Sequence, residues 1–173
     1  SEEEQMSAEE ELQTVVDAAR KTEMDGSRFY SQSAERTANP LARKMFESLV
    51  EAEERHLKFI EQLAAGEFES APYDRGFSRR LTTVFSEAGG GPKEPATGME
   101  DDVAALRTAI DMEDKSMAFY RKWSESASDE KVRAFCSRLY AEEEDHWRVL
   151  QSTKEYLENT GDWRRELREA EYG

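Results

Sequence analysis

Cysteine is almost missing from this sequence, and its single copy excludes several kinds of site. One cysteine, Cys136, cannot build a disulfide framework, a cysteine-based zinc site or an iron–sulfur cluster within one chain. No apolar run approaches the roughly 20 residues that cross a bilayer, and residues 1–5 are acidic rather than signal-like. We therefore expect a soluble protein in the reducing cytoplasm, with no membrane partner.

Basic residues are also in short supply. The chain has 24 Lys and Arg against 39 Asp and Glu, which gives a formal net charge of -15. A phosphate backbone or an anionic membrane would be repelled over most of such a surface, so we expect no nucleic-acid partner. Cations are the natural counter-species.

Glycine and proline are scarce outside the middle of the chain, and strong helix formers fill most of the rest. The composition predicts an all-α fold, and the length fits one domain over residues 1–173. Apolar residues recur in steps of three and four, and Asn39-Pro40 and Ser128-Asp129 are helix-start signals. The predicted helices cover about 8–38, 40–65, 99–126 and 129–158.

Residues 66–98 contain most of the glycines and prolines and predict a long crossover. A short amphipathic helix over about 78–87 is expected within it. Beyond Gly161, Asp162 predicts a short C-terminal helix over about 162–171. Two short loops and one long connection give a four-helix bundle of two helix hairpins.

Six polar residues lie inside the apolar seams of the four helices. The second half repeats the first with a shift of 90 residues, which places each of these residues, and the Phe29-Tyr30 pair, on its counterpart. A single Glu-x-x-His on a helix is more often a surface pair, but two at matched offsets favour a site. The candidate metal-binding and catalytic residues are Glu23, Glu53, His56, Glu113, Glu143 and His146.

Four seam carboxylates would lose their hydration at a cost of several kcal/mol each unless they were compensated. Two divalent cations balance four negative charges, and neutral imidazoles complete the set. An oxygen and nitrogen site without thiolate suits iron or manganese, and zinc can also occupy it. We predict two iron ions.

Tyr30 and Tyr120 follow Glu23 and Glu113 by seven residues, two turns along the same helix face. Each hydroxyl is a candidate to hydrogen-bond a ligand carboxylate. Packing in the core is the equal alternative for both tyrosines.

The order of these motifs resembles the ferritin-like di-iron carboxylate proteins, and among them the rubrerythrin family most closely. The stretches 21–30 (KTEMDGSRFY) and 51–56 (EAEERH) carry the likeness, which extends over roughly residues 10 to 158. The resemblance implies a homodimer, with or without exchanged helices. It also implies a di-iron site that reduces hydrogen peroxide or oxygen with electrons from an external donor. Glu53 and Glu143 would bridge the ions or cap them with their histidine partners, and Glu23 and Glu113 would be terminal ligands.

The sequence departs from that family in two respects. Full-length rubrerythrins carry a rubredoxin-like domain with four iron-binding cysteines. This sequence, with its single cysteine, does not contain those four ligands, so a separate protein would supply the electrons. Typical members also have a glutamate three residues after the helix 3 ligand, where this chain has Ser116, and the helix 1 counterpart is Gly26. The predicted site is a symmetric six-ligand one, closer in that respect to bacterioferritin, which puts the family's redox-linked ligand exchange in question.

The leading hypothesis is a peroxide-reducing oxidoreductase. A ferroxidase or iron-handling protein, a manganese catalase, and a structural or metal-sensing bundle without enzymatic activity are the alternatives.

Overall fold

The computed structural model describes the backbone of residues 6–71, 73, 77 and 99–172, and the side chains of 6–71, 73, 77 and 100–159. Four helices make up this part of the chain: α1 Ala8–Arg36, α2 Pro40–Ala64, α3 Met99–Ser126 and α4 Glu130–Tyr172. The described residues contain no strand. The predicted all-α four-helix bundle is confirmed.

Local sequence signals set the helix ends. Ser7 forms a capping box with Glu10 at the start of α1. The Asn39 side chain accepts hydrogen bonds from the backbone N–H groups two and three residues further along the chain, and Pro40 occupies the first helical position. After α2, Gly66 takes a φ of +74°, the left-handed conformation that glycine adopts without strain. The predicted α2 and α3 boundaries agree with the structure to within one residue.

Two helix ends differ from the prediction. α1 ends at Arg36 instead of residue 38, because Thr37 is extended and its hydroxyl accepts a hydrogen bond from the Asn39 N–H. The separate helix over 162–171 is wrong, since α4 continues through Gly161 to Tyr172. One glycine inside a helix costs only about 1 kcal/mol relative to alanine, which is too little to end it. The helix predicted over 78–87 lies outside the described residues.

The two hairpins, α1 with α2 and α3 with α4, pack most extensively within themselves, and α1–α3 and α2–α4 contacts join them. Glu23 contacts Tyr120 while Tyr30 contacts Glu113, so α1 and α3 run antiparallel. No described helix carries an apolar stretch long enough to span a bilayer.

Two hydrophobic clusters fill the bundle at different heights. One contains Phe46 and Leu106, with Tyr30 at its edge, and the other contains Ile60 and Phe135, with Tyr120 at its edge. Along each helix the residues of the two clusters are separated by seam carboxylates or histidines. The bundle therefore has a polar layer between two apolar layers.

Candidate metal centre

The polar layer brings together the six side chains that the sequence singled out. Each helix places its acidic residue on the face that carries its core residues, and α2 and α4 add a histidine one turn later. All six are buried, with at most 3% of any residue exposed: Glu23, Glu53, His56, Glu113, Glu143 and His146.

Their ligand atoms form two overlapping groups. One comprises Glu23, Glu53, His56 and Glu143, and the other comprises Glu53, Glu113, Glu143 and His146. Within each group the ligand atoms lie within 4.8 Å of one another. Glu53 and Glu143 belong to both groups, so the carboxylate of each lies within reach of two neighbouring candidate metal positions.

His56 uses both ring nitrogens for contacts with carboxylates. Its Nδ1 lies 3.0 Å from Glu23 Oε2, 3.5 Å from Glu53 Oε2 and 3.7 Å from Glu143 Oε1. Its Nε2 points the other way and donates to Glu142 Oε2 at 3.0 Å. The Nδ1 atom thus faces the centre, and the Nε2 atom faces a carboxylate behind it.

His146 also directs Nδ1 at the centre. This atom lies 2.9 Å from Glu143 Oε2, 3.6 Å from Glu53 Oε1 and 3.8 Å from Glu113 Oε1. Neither nitrogen of His146 nor Glu143 Oε2 makes a hydrogen bond to the described residues, although all three atoms are buried. The His56 and His146 rings stack with centroids 5.3 Å apart.

Two tyrosines support the carboxylates, and they do so across the two halves of the chain. The hydroxyl of Tyr30 donates to Glu113, and that of Tyr120 donates to Glu23. The sequence spacing had suggested a carboxylate partner without saying which one. In the structure each tyrosine bonds the acidic residue of the other hairpin.

Burial and mutual repulsion perturb the acid–base properties of the layer. Desolvation raises the pKa of Glu23 to about 7, and the charge of Glu53 adds to it. Desolvation likewise raises the pKa of Glu113 and of Glu143 well above the usual range. Burial also opposes ionisation of Glu53, but the neighbouring Glu23 carboxyl and the two imidazoles beside it outweigh burial and lower its pKa.

His56 responds in the opposite direction. Desolvation alone would lower its pKa, but the surrounding carboxylates Glu23, Glu142 and Glu143 raise it well above its usual value. Without a metal, protons on His56 and on several carboxylates therefore neutralise the layer.

Sequence reasoning missed two buried acids on α4, Glu142 and Asp145, each 1% exposed. Glu142 binds His56, Arg138 donates to it, and Asp145 accepts a hydrogen bond from the Tyr73 hydroxyl at 2.9 Å. Glu142 lies three residues after Leu139, a helical spacing that could have revealed it. The internal repeat concealed it, because its counterpart is alanine.

A cavity of about 190 Å³ reaches the layer from outside, between α1 and α3. Ser116 and its counterpart in the repeat, Gly26, both line it, and Glu53 and Glu113 lie at its inner end. A Cβ atom at position 26 would contact the Glu53 side chain at 3.5 Å. The absence of a side chain at Gly26 thus leaves open space beside a residue shared by both groups.

The donor set fits two metal ions. Ligand bonds of about 2.1 Å place donor atoms up to about 4.2 Å apart, slightly closer than the 4.8 Å limit of these groups. The buried nitrogen of His146 and the Glu143 oxygen that face each other without a hydrogen bond would both gain a partner from a bound cation. Carboxylate and imidazole ligands suit iron, manganese or zinc.

The comparisons with known proteins agree with this geometry. The Rubrerythrin family model matches residues 2–64 and, in an overlapping match, residues 15–154. No curated protein and no solved structure matches the chain significantly. The longer match spans most of the chain and includes all six residues of the polar layer. The chain belongs to the rubrerythrin family.

Proposed function

We propose that this protein is a rubrerythrin-like di-iron oxidoreductase that reduces hydrogen peroxide, with oxygen as the alternative oxidant and a separate protein as the electron donor. The main observation behind the proposal is the pair of overlapping ligand groups that share Glu53 and Glu143. Two adjacent ions can each give one electron to the same small molecule. A single ferrous ion gives only one electron when it passes to the ferric state.

When bound, a ferrous pair would supply two electrons to hydrogen peroxide, which with two protons becomes two water molecules. The six side chains would hold the ions, with Glu53 and Glu143 between them and Glu23 and Glu113 at the outer positions. The two hydrophobic clusters exclude bulk water from above and below this layer. That exclusion strengthens every charge interaction within it.

The protein's own groups can hold protons close to the reacting site. Tyr30 and Tyr120 keep their hydroxyl protons, because burial and the neighbouring carboxylates raise the pKa of each well above 10. Both hydroxyls donate to carboxylates of the layer. They orient Glu113 and Glu23 and hold a proton beside each of them.

The size of the cavity beside Gly26 is consistent with a small oxidant as the substrate. Its volume of about 190 Å³ has room for a few molecules the size of water, each of which takes about 30 Å³ in the liquid. The cavity ends at Glu53 and Glu113, so a molecule the size of peroxide could approach the shared part of the centre.

Stopped-flow absorbance of the anaerobically reduced, iron-loaded protein tests the proposal. Mixing with hydrogen peroxide should oxidise both ferrous ions rapidly, and a chemical reductant should restore the ferrous state for further turnover. A protein that stays ferrous in the presence of peroxide would exclude peroxide reduction. Faster oxidation by oxygen than by peroxide would assign oxygen as the oxidant.

Alanine variants of the shared residues distinguish a reactive centre from a structural one. We expect Glu53→Ala and Glu143→Ala each to lose metal and peroxide reactivity while the helical circular dichroism signal stays. The exposed Glu47→Ala on α2 is the matched control and should retain both. Unfolding of the bundle on metal removal would favour a structural role instead.

A further inference from the structure

The two histidines of the repeat are equivalent in sequence but differ on the side that faces away from the centre. His56 Nε2 donates to Glu142 Oε2 at 3.0 Å, and both residues are buried. Two arginines support Glu142: Arg138 donates to it through Nε, and Arg55 lies 3.9 Å from its Oε2. His56 is therefore held by a buried, charge-supported carboxylate.

His146 has no such support in the described structure. The shift of 90 residues places Ala52 at the position that corresponds to Glu142, and Ala52 is fully buried in a hydrophobic cluster. Within the described part of the chain neither His146 nitrogen has a hydrogen-bond partner, and the Phe77 ring lies 5.0 Å from the His146 ring. The internal duplication thus kept both ligating histidines but gave a supporting carboxylate to only one.

We propose that Glu142 is a positioning residue that makes the two metal positions unequal, so that the position containing His56 binds a divalent cation more tightly and fills first. This position is formed by Glu23, Glu53, His56 and Glu143, and the weaker one by Glu53, Glu113, Glu143 and His146. The inference depends on the proposed metal centre and does not depend on the proposed reaction.

The physical reason is the choice of tautomer. A histidine that binds a metal through Nδ1 must carry its proton on Nε2, and an acceptor at Nε2 stabilises that form and orients the ring. Glu142 provides this acceptor for His56. For His146 the described structure provides none, so this ring has to select both its tautomer and its orientation when the metal binds.

Co²⁺ titration of single-histidine variants tests the proposal without any oxidant. His146→Ala should leave only the position containing His56, and His56→Ala should leave only the other. We expect Glu142→Ala to weaken Co²⁺ binding 10- to 100-fold in the His146→Ala chain, the usual range for losing such a partner. In the His56→Ala chain the same substitution should change the affinity less than about twofold. Isothermal titration calorimetry measures both affinities.

Equal losses of affinity in the two chains would overturn the proposal, because they would indicate general damage to the bundle. No loss in the His146→Ala chain would overturn it as well. Glu142→Gln keeps the shape of the side chain and a neutral acceptor for the imidazole N–H, so it should recover only part of the affinity, and full recovery would indicate a purely steric role and overturn the proposal. Glu144→Ala, two residues further along α4 and half-buried, is the matched control and should change neither affinity.

If a single-histidine variant does not bind Co²⁺, titration of the chain that retains both histidines decides the question. Glu142→Ala should then weaken the first equivalent of Co²⁺ and leave the second unchanged. Parallel weakening of both equivalents would overturn the proposal. Because peroxide is absent, a failure of the proposed reaction would leave these results unaffected.

Discussion

The hydroxyl of Tyr120 on α3 donates a hydrogen bond to the buried carboxylate of Glu23 on α1. Its counterpart Tyr30 does the same for Glu113 in the reverse direction, so each hairpin supplies a donor to the acid of the other. These two crossed hydrogen bonds connect the two halves of the chain through the polar layer. It also means that neither hairpin alone provides all the hydrogen bonds that its own acidic residue receives.

Removing one of these hydroxyls should destabilise the metal-free bundle. We expect Tyr120→Phe to lower the free energy of unfolding by about 1–3 kcal/mol, because Glu23 loses a buried donor. Urea unfolding followed by circular dichroism measures the change. Tyr140→Phe is the matched control, since Tyr140 is half-buried against the same hydrophobic cluster and its hydroxyl makes no hydrogen bond to the described residues. An unchanged Tyr120→Phe variant would contradict the prediction.

The metal-free protein should be most stable in mild acid. Glu23 has a pKa of about 7 in the folded chain against 4.5 when exposed, so between these values the folded chain holds a proton that the unfolded chain has lost. Stability therefore falls as the pH rises through this window, by up to about 3 kcal/mol from this group. The raised pKa of His56 acts in the same direction above pH 6.5. Below pH 4.5 the lowered pKa of Glu142, about 2, makes stability fall as the pH decreases.

Thermal unfolding in the presence of a chelator from pH 3 to pH 8 checks this pH profile. The variant Glu23→Gln cannot ionise at this position and should show a shallower decline between pH 5 and pH 7. A stability maximum at or above pH 7 in the chelated protein would be inconsistent with the proton distribution described. Metal affinity should increase with pH over the same window, because Glu23 has to release its proton to bind a cation.

A large side chain at position 26 should close the cavity. We expect Gly26→Phe to slow oxidation of the iron-loaded protein by peroxide at least tenfold, because the new ring would fill the space that ends at Glu53. Metal analysis should still find two ions per chain. Ser31→Phe, at an exposed position of the same helix, is the control and should react at the original rate. Equal rates in the two variants would show that peroxide enters elsewhere.

Glu11 connects the start of α1 to the α3–α4 turn. Its Oε1 accepts hydrogen bonds from the backbone N–H and the hydroxyl of Ser128, at 2.8 and 3.0 Å, and Glu11 is only 8% exposed. We expect Glu11→Ala to destabilise the protein by about 1–3 kcal/mol, since a partly buried N–H would lose its acceptor. Chemical denaturation measures the loss. The exposed Glu9→Ala, one position from the helix start, should cost a few tenths of a kcal/mol.

Helix positions were predictable because they depend on nearby residues. The Asn39-Pro40 start and the glycine after α2 act through hydrogen bonds and φ angles within a few residues, and the structure has both where they were expected. The end of α4 was not predictable in the same way. A single Gly161 looked like a boundary, but the surrounding helical sequence continues through it.

The number of helices and the acidic residue in the seam of each were predictable without a structure, because periodicity and the 90-residue repeat can be read directly along the chain. Which groups meet depends instead on the packing of the helices, which sets the crossed tyrosine hydrogen bonds, the single carboxylate behind His56 and the cavity beside Gly26. These relationships join residues that are far apart in sequence, and the relative position of the two hairpins sets them. The repeat predicts equal halves, whereas packing makes the two histidines physically different.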